Sequence, residues 1–246
     1  MRSELARDTD FTQLSRLLMS RKIIDLSYTI CTDMPLYLTL PSPAIEKLNR
    51  IERDLFTITK MELVTHCGTH IESPLHVIEN GKTIEGYVLR DFIKPGVVIN
   101  LCNGQSEISR KELERFSKDI KRGETLAIYT GIGSKYGRNR DYLFRWRGLS
   151  HAAAEYLAKK HLSVLGIDGI SITGWDDSVP AQPRLSRSSS LDVHKLLLSR
   201  GTLLVEELAN LEQILQGADR RRAIFFFAPL KIRGSEASPI RAYAVC

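Results

Sequence analysis

The sequence has little that would build a disulfide framework, a membrane span or a nucleotide site. Its four cysteines, Cys31, Cys67, Cys102 and Cys246, are widely separated. No C-x-x-C pair marks a zinc knuckle or a thiol redox centre, so a reducing compartment is the simplest setting. No stretch reaches the roughly 18 continuous apolar residues of a spanning helix. The start, MRSELARDTDFTQ, lacks the apolar core of a secretory signal, and Glu4, Asp8 and Asp10 argue against an Arg-bearing transit segment. A cytoplasmic protein with no membrane attachment is the expectation. The glycines of TGIGSKYG fit neither a P-loop nor a G-x-G-x-x-G fingerprint, and no H-E-x-x-H pair is present to carry a helix-borne zinc protease. Internal repeats and interdomain linkers are absent, and low complexity is limited to the Ser-rich RLSRSSSL.

What is present suffices for one sizeable core, because 246 residues with 43% hydrophobic content commonly fold as a single domain. The 35 Lys and Arg exceed the 29 Asp and Glu by a formal +6. Much of the excess lies in Arg138, Arg140, Arg145 and Arg147 and in Arg220, Arg221 and Arg222. No aromatic-and-basic module accompanies these clusters, so they read as solvated faces, with no nucleic-acid partner; an anionic substrate is the other use they allow. Residues 10–20 place Phe11, Leu14, Leu17 and Leu18 at helical spacing. We read residues 1–20 as a helical extension that caps the domain or a partner subunit, and 21–246 as the domain itself. KIIDLSYTI alternates as a strand, Pro35, Pro41 and Pro43 then impose a long loop, and FTITKMELVTH is a β-rich run that delivers His66 at its end. GVVINL, TLAIYTG, LSVLGIDG, TLLVEEL and AIFFFAPL are short apolar runs bounded by turn residues, the pattern of buried strands. The helical patterns RKELERFSKDI, SHAAAEYLAKKH and LDVHKLLLSR alternate with them, which makes the chain α/β. SEASPIRAYAVC reads as a closing edge strand.

The chemistry concentrates in His66-Cys-Gly-Thr-His70-Ile-Glu72-Ser-Pro-Leu-His76, where three of the six histidines fall within eleven positions. Imidazoles and a carboxylate suit zinc, manganese or iron, and as ligands they must converge to roughly 2.0–2.3 Å from one ion. Gly68 lets the backbone turn tightly between His66 and His70, and Pro74 stiffens the exit that aims His76. One histidine near a strand end is ordinarily a surface or satisfied core residue. Three with a glutamate are costly to bury unless an ion or hydrogen bonds compensate, and the spacing suits a loop-borne site. Elsewhere, Asp168 in GIDG caps a turn or orients a ligand, with the turn favoured. Trp175 lines a pocket or fills the core. His151 and His161 read as surface residues, and Cys67 lacks the Cys-His-Asn order of a papain-like nucleophile. On the residues alone, His194 sits on an amphipathic helix beside Leu196 to Leu198, and Glu206 and Glu207 are compatible with exposed positions.

The histidine segment resembles the H-x-G-T-H-x-D-x-P-x-H motif of the cyclase family of metal-dependent hydrolases, which includes bacterial kynurenine formamidases and isatin hydrolases. DLSYTI with Met34-Pro35, the TG before Tyr136-Gly137, GLSHAAAEYL, GIDGISI and LDVHKLLLSRGTLLVEELANL extend the resemblance over most of the chain. The last block is similar to the family's second ligand segment, in which a His precedes a Glu by twelve positions, here His194 and Glu206. The resemblance implies an α/β domain with a mixed, partly barrel-like sheet packed against helices, of the swivelling β/β/α type. It implies one or two divalent ions per chain, zinc or manganese, on His66, His70, the carboxylate at 72, His194 and Glu206, with His76 as the catalytic proton-transfer residue. It also implies a homodimer or larger oligomer whose site opens between subunits. The expected substrate is a small aryl formamide such as N-formylkynurenine, in tryptophan catabolism, with a cyclic amide such as isatin, or a lactone, as the alternative. Selectivity is expected from segment 34–43 and the region around Trp175. One position departs from the motif: the family's aspartate is Glu72, one methylene longer. That leaves denticity and metal count open, along with a degenerate metal-binding member that has lost catalysis.

Overall fold

The computed structural model describes residues 2–37, 40–104, 107–174 and 187–246. Helix α1 (Arg2–Met19) is longer than its amphipathic stretch, and Phe11, Leu17 and Met19 are exposed, so these side chains do not enter the domain's core. Strand β1 (Ile23–Asp25) is short. The long loop expected after the prolines is interrupted by a hairpin of β2 (Ala44–Asn49), α2 (Ile51–Asp54) and β3 (Ile58–Glu62). The prolines break regular structure only as far as Pro43, and the ladder begins at the next residue, Ala44 opposite Glu62.

The remaining elements are β4 (His70–Glu72), β5 (Ile93–Asn100), α3 (Arg110–Glu114), β6 (Thr125–Tyr129), α4 (Arg140–Phe144), α5 (His151–Ala158), β7 (Val164–Ile167), α6 (Arg187–Leu198), β8 (Leu203–Glu206), α7 (Leu211–Leu215), β9 (Arg220–Pro229) and β10 (Ala237–Val245). Strands β5, β6, β7 and β8 are parallel neighbours. Each crossover between them contains helix, as parallel pairing requires. Helix starts follow from local chemistry: Ser109 Oγ accepts from Glu112 N while Ser109 N donates to Glu112 Oε2, and Ser150 Oγ accepts from Ala153 N.

Around the sheet the order is β10-β4-β8-β7-β6-β5-β9, and β9 pairs again with β10, so seven mixed strands close into a barrel with β1 appended to β10. The C-terminal segment is therefore not an edge. β10 is long enough for its first residues to pair with β4 and its last with β1, while its other side is taken by β9. Alternation along each strand divides the apolar side chains between two cores. Val97, Ile99, Leu126, Ile128, Leu165 and Leu204 pack outward against Leu113, Ala154, Leu157 and Leu197 of the helices. Val98, Ala127, Val164, Val205, Phe225 and Ala242 form the inner cluster, which Leu211, Ile214 and Leu215 of α7 join.

Asp168, just beyond β7, ties the strand ends together. Its carboxylate accepts from Thr130 N, from Thr130 Oγ1 at 2.6 Å and from Gly131 N at 2.8 Å, all beyond the end of β6. Burial pushes this carboxyl up to about 6, against the opposing pull of those donors. The β5–β6 pair is close enough to need a glycine: Gly96 stands opposite Thr125, and a Cβ there would lie 2.3 Å from the Thr125 carbonyl oxygen. Gly96→Ala is therefore expected to lower the urea unfolding free energy by about 1–3 kcal/mol, as overpacking does; an unchanged midpoint would mean that the two strands tolerate separation at this point.

Candidate metal centre

Strand β4 has only three residues, but it is paired on both sides. His70 lies opposite Glu206 of β8 and Pro239 of β10, and Glu72 lies opposite Leu204 and Ala237. The two-residue period sends Ile71 into the inner core and His70 and Glu72 to the outer face. Helix α6 covers that face through Val193 and Leu197, and this placement carries His194 over the same spot. The site is thus strand-borne at its centre rather than loop-borne as expected. Three residues without a flanking apolar run carry no strand signal of their own, and the pairing comes from β8 and β10.

Before β4 the chain turns at Gly68, whose φ of +60° is left-handed and whose missing Cβ would meet Met34 Cε at 2.7 Å. Thr69 Oγ1 donates to the Glu207 carbonyl at 2.6 Å and accepts from Tyr28 N, which fixes the turn against β8. His70 Nδ1 donates to the Gly68 carbonyl at 2.7 Å. Since a carbonyl only accepts, this bond sets the tautomer and aims Nε2 inward. There it meets His66 Nδ1 at 3.2 Å, Glu72 Oε1 at 3.4 Å and Glu206 Oε2 at 3.5 Å. Glu72 Oε1 also lies 3.1 Å from His66 Nδ1 and 3.9 Å from His76 Nε2. Glu206 Oε1 accepts from Ile172 N at 2.6 Å and stands 3.3 Å from His194 Nε2. His76 closes a 3₁₀ turn that begins at Pro74, and its ring packs against those of His66 and His194.

All six sequence-nominated residues, His66, His70, Glu72, His76, His194 and Glu206, therefore meet in one place. Donor atoms within 4.8 Å of one another form two sets, His66 with Glu72 and His76, and His70 with Glu72 and Glu206, with Glu72 in both. Burial alone would push His70 down, but the Glu72 hydrogen bond and the charges of Glu206 and Glu72 outweigh it and raise the imidazole to about 9. Burial would likewise raise Glu72, yet His194, His66 and His70 hold its carboxyl well below the usual range. Positive charge is thus favoured at the point where these groups converge. Glu72 Oε2, buried and 3.7 Å from His194 Nε2, has no hydrogen-bond partner among the described residues. Leaving a buried carboxylate oxygen unsatisfied is costly, and a divalent cation among imidazoles and carboxylates would remove that cost, so the donor set fits a metal.

The other nominated residues separate cleanly. His151 and His161 are exposed. Burial pushes the Cys67 thiol up to about 11, the opposite of an activated nucleophile. Trp175 lies outside the described residues. Two glutamates escaped the sequence reading. Glu207 is fully buried rather than exposed, accepts from Tyr142 O–H at 2.8 Å, and is pushed by burial up to about 7. Glu236 faces the far side of His66, at 3.5 Å from its Nε2. Spacing could not have found Glu236, because β10 joins the site only through the barrel.

The Cyclase family model matches residues 24–174. A kynurenine formamidase from Bacillus thuringiensis subsp. konkukian is 26% identical over 185 residues, 75% of this chain and 78% of its own. A structure described as a predicted metal-dependent hydrolase from Bacillus stearothermophilus is 26% identical, covers 92% of this chain and 98% of its own, and superposes with a TM-score of 0.71. Isatin hydrolase A from Labrenzia aggregata is 21% identical, with 96% and 98% coverage and a TM-score of 0.81, a likeness of fold.

A divalent ion that binds only the folded cluster should stabilise the protein by mass action, about 2.7 kcal/mol at one hundred times the dissociation constant. Zinc or manganese added to chelator-stripped protein is expected to raise the melting temperature, and Glu72→Ala to abolish the rise. A melting temperature indifferent to both ions would refute the metal reading of the cluster.

Proposed function

The chain belongs to the Cyclase family, whose model spans more than half of it, and from that premise we propose that it is a metal-dependent amidohydrolase that cleaves the carbon–nitrogen bond of a small aryl formamide, with N-formylkynurenine as the leading example. The observation that carries this reading is the meeting of buried His70, His194, Glu72 and Glu206 with partly buried His66 around a Glu72 oxygen that has no hydrogen-bond partner among the described residues. The kynurenine formamidases among its relatives supply the substrate class. In this reading His66, His70, Glu72, His194 and Glu206 hold one or two ions of zinc or manganese. When bound, such an ion polarises a carbonyl and acidifies water.

His76 is the proton carrier. Burial lowers its imidazole, against the raising charge of Glu72, so the ring is neutral and able to accept a proton near neutral pH. Its Nε2 faces Glu72 Oε1 at 3.9 Å, on the side where the donors converge. Nε2 takes a proton from water as the water oxygen bonds to the formyl carbon. The carbon–nitrogen bond then breaks, and the same nitrogen returns the proton to the leaving amine, which yields the free aryl amine and formic acid; the acid then releases its proton to solvent as formate. Glu72, one methylene longer than the motif's aspartate, suits this frame because one oxygen reaches His66 and His70 while the other points towards His194.

A homodimer belongs to the same reading. Among the described residues, strands β2 and β3 pair only with each other and expose Ile45, Leu48, Ile58 and Met61. A lone two-stranded ribbon is marginally stable in water, so a second copy that covers it explains its persistence.

Metal-loaded protein is expected to hydrolyse N-formylkynurenine and chelator-stripped protein to be inactive. His76→Ala should keep its metal and lose about 10²–10⁴-fold in kcat. Glu72→Asp should lose about tenfold or more in kcat/KM, equivalent to at least about 1.4 kcal/mol. Loss of metal from the His76 variant would make His76 a ligand instead, a gain from Glu72→Asp would mark a decayed site, and turnover of isatin alone would move the substrate to cyclic amides. Light scattering at micromolar concentration should give twice the chain mass; a stable monomer would remove the dimer.

A further inference from the structure

Glu236 touches the site from outside the donor set, and two of its groups bear on it. Its main-chain carbonyl accepts from Ser73 N at 2.8 Å and from Ser73 Oγ at 2.9 Å, which holds the backbone immediately after Glu72. Its carboxylate Oε1 accepts from Thr65 Oγ1 at 2.5 Å and lies 3.5 Å from His66 Nε2. The opposite edge of the same imidazole presents Nδ1 to Glu72 Oε1 at 3.1 Å and to His70 Nε2 at 3.2 Å. The Nδ1 edge of the His66 ring therefore looks into the donor cluster, and the Nε2 edge looks at a carboxylate. Glu236 is half-buried behind that ring and belongs to neither set of converging donor atoms.

We propose that Glu236 is a positioning residue for His66: it accepts the Nε2 proton of that imidazole and so leaves the Nδ1 lone pair aimed at the ion. A neutral imidazole carries its proton on one nitrogen or the other, and only the Nε2–H tautomer offers Nδ1 as a ligand. A carboxylate on the outer nitrogen selects that tautomer, fixes the ring plane and raises the basicity of the ligating atom, as carboxylate partners of metal-bound histidines do. Thr65 supplies the restraint that a half-buried glutamate otherwise lacks. Its hydroxyl donates to Oε1 and keeps that oxygen on the His66 side, and an oxygen with two lone pairs can accept from Thr65 and His66 together. Thr65 is adjacent to His66, so one stretch of chain carries the ligand together with the group that restrains its partner. The proposal rests on the reading of His66 as a ligand through Nδ1.

The test measures zinc affinity of the chelator-stripped full chain by competition with a chromophoric zinc chelator, beside the melting temperature of each metal-free protein. Glu236→Ala removes the carboxylate and keeps the main-chain bonds to Ser73, so it should fold. Its zinc affinity is expected to fall about 10–100-fold, and Glu236→Gln, which keeps an acceptor oxygen without the charge, should lie between it and the wild type. In a His66→Ala background, itself weakened, Glu236→Ala should cost nothing further, because its effect passes through that ring. Wild-type affinity in Glu236→Ala alongside a weakened His66→Ala overturns the positioning role alone. An equal further loss in the His66→Ala background overturns it too, since Glu236 would then act on the ion directly. Wild-type affinity in His66→Ala removes His66 from the ligand set, and the proposal falls with that reading.

Discussion

Strand β4 is held between β8 and β10, and that pairing is the constraint on which the site depends. It puts His70 directly across from Glu206 and sends Glu72 to the same face two residues later. A register slip of one residue would exchange the faces, placing His70 and Glu72 in the apolar interior and Ile71 under α6. The barrel prevents this by filling both sides of β4 and by closing on itself through β9 and β10. Three residues with almost no independent propensity are thereby fixed more firmly than a surface loop could fix them, which is what convergent ligands require.

Around that frame the electrostatics are unusually concentrated. Glu72 and Glu206 lie buried within reach of His70 and His194, and Glu207 is buried next in sequence with Tyr142 as its donor. Buried carboxylates are costly unless paired. The imidazoles pair them in part, at distances mostly beyond 3 Å, and Glu72 Oε2 remains without a partner among the described residues. A cluster in which charges of both signs meet loosely is less stable than one organised around a single cation. A divalent cation among these donors would tighten that pairing.

Support for the site reaches well beyond the side chains that converge in it. Gly68 and Thr69 turn the chain into β4, and Pro74 leads the turn that aims His76. Asp168 locks the end of β7 to the turn after β6. Glu236 anchors Ser73 from β10's side of the barrel. Apart from the local turn at Pro74, these contacts join segments far apart in sequence, so the geometry of the centre is a property of the closed barrel and not of the histidine segment alone.

The class of fold was legible in the residues alone, and so was a candidate metal site. Apolar runs such as TLAIYTG and LSVLGIDG alternate with helical patterns, which is enough for parallel strands with crossovers. Three histidines and a glutamate in eleven positions mark a candidate metal site. His194 and Glu206 were legible only through resemblance to a longer motif, because a histidine on an amphipathic helix and a glutamate at a strand end carry no local signal. Tertiary structure decided the rest. It made a three-residue strand of His70–Glu72, turned the C-terminal segment from an edge into a closing strand, buried Glu207 and brought Glu236 behind His66. The physical reason is the same in each case: these outcomes depend on hydrogen bonds and burial supplied by strands distant in sequence, and local periodicity records only what a segment buries, not what it is buried against.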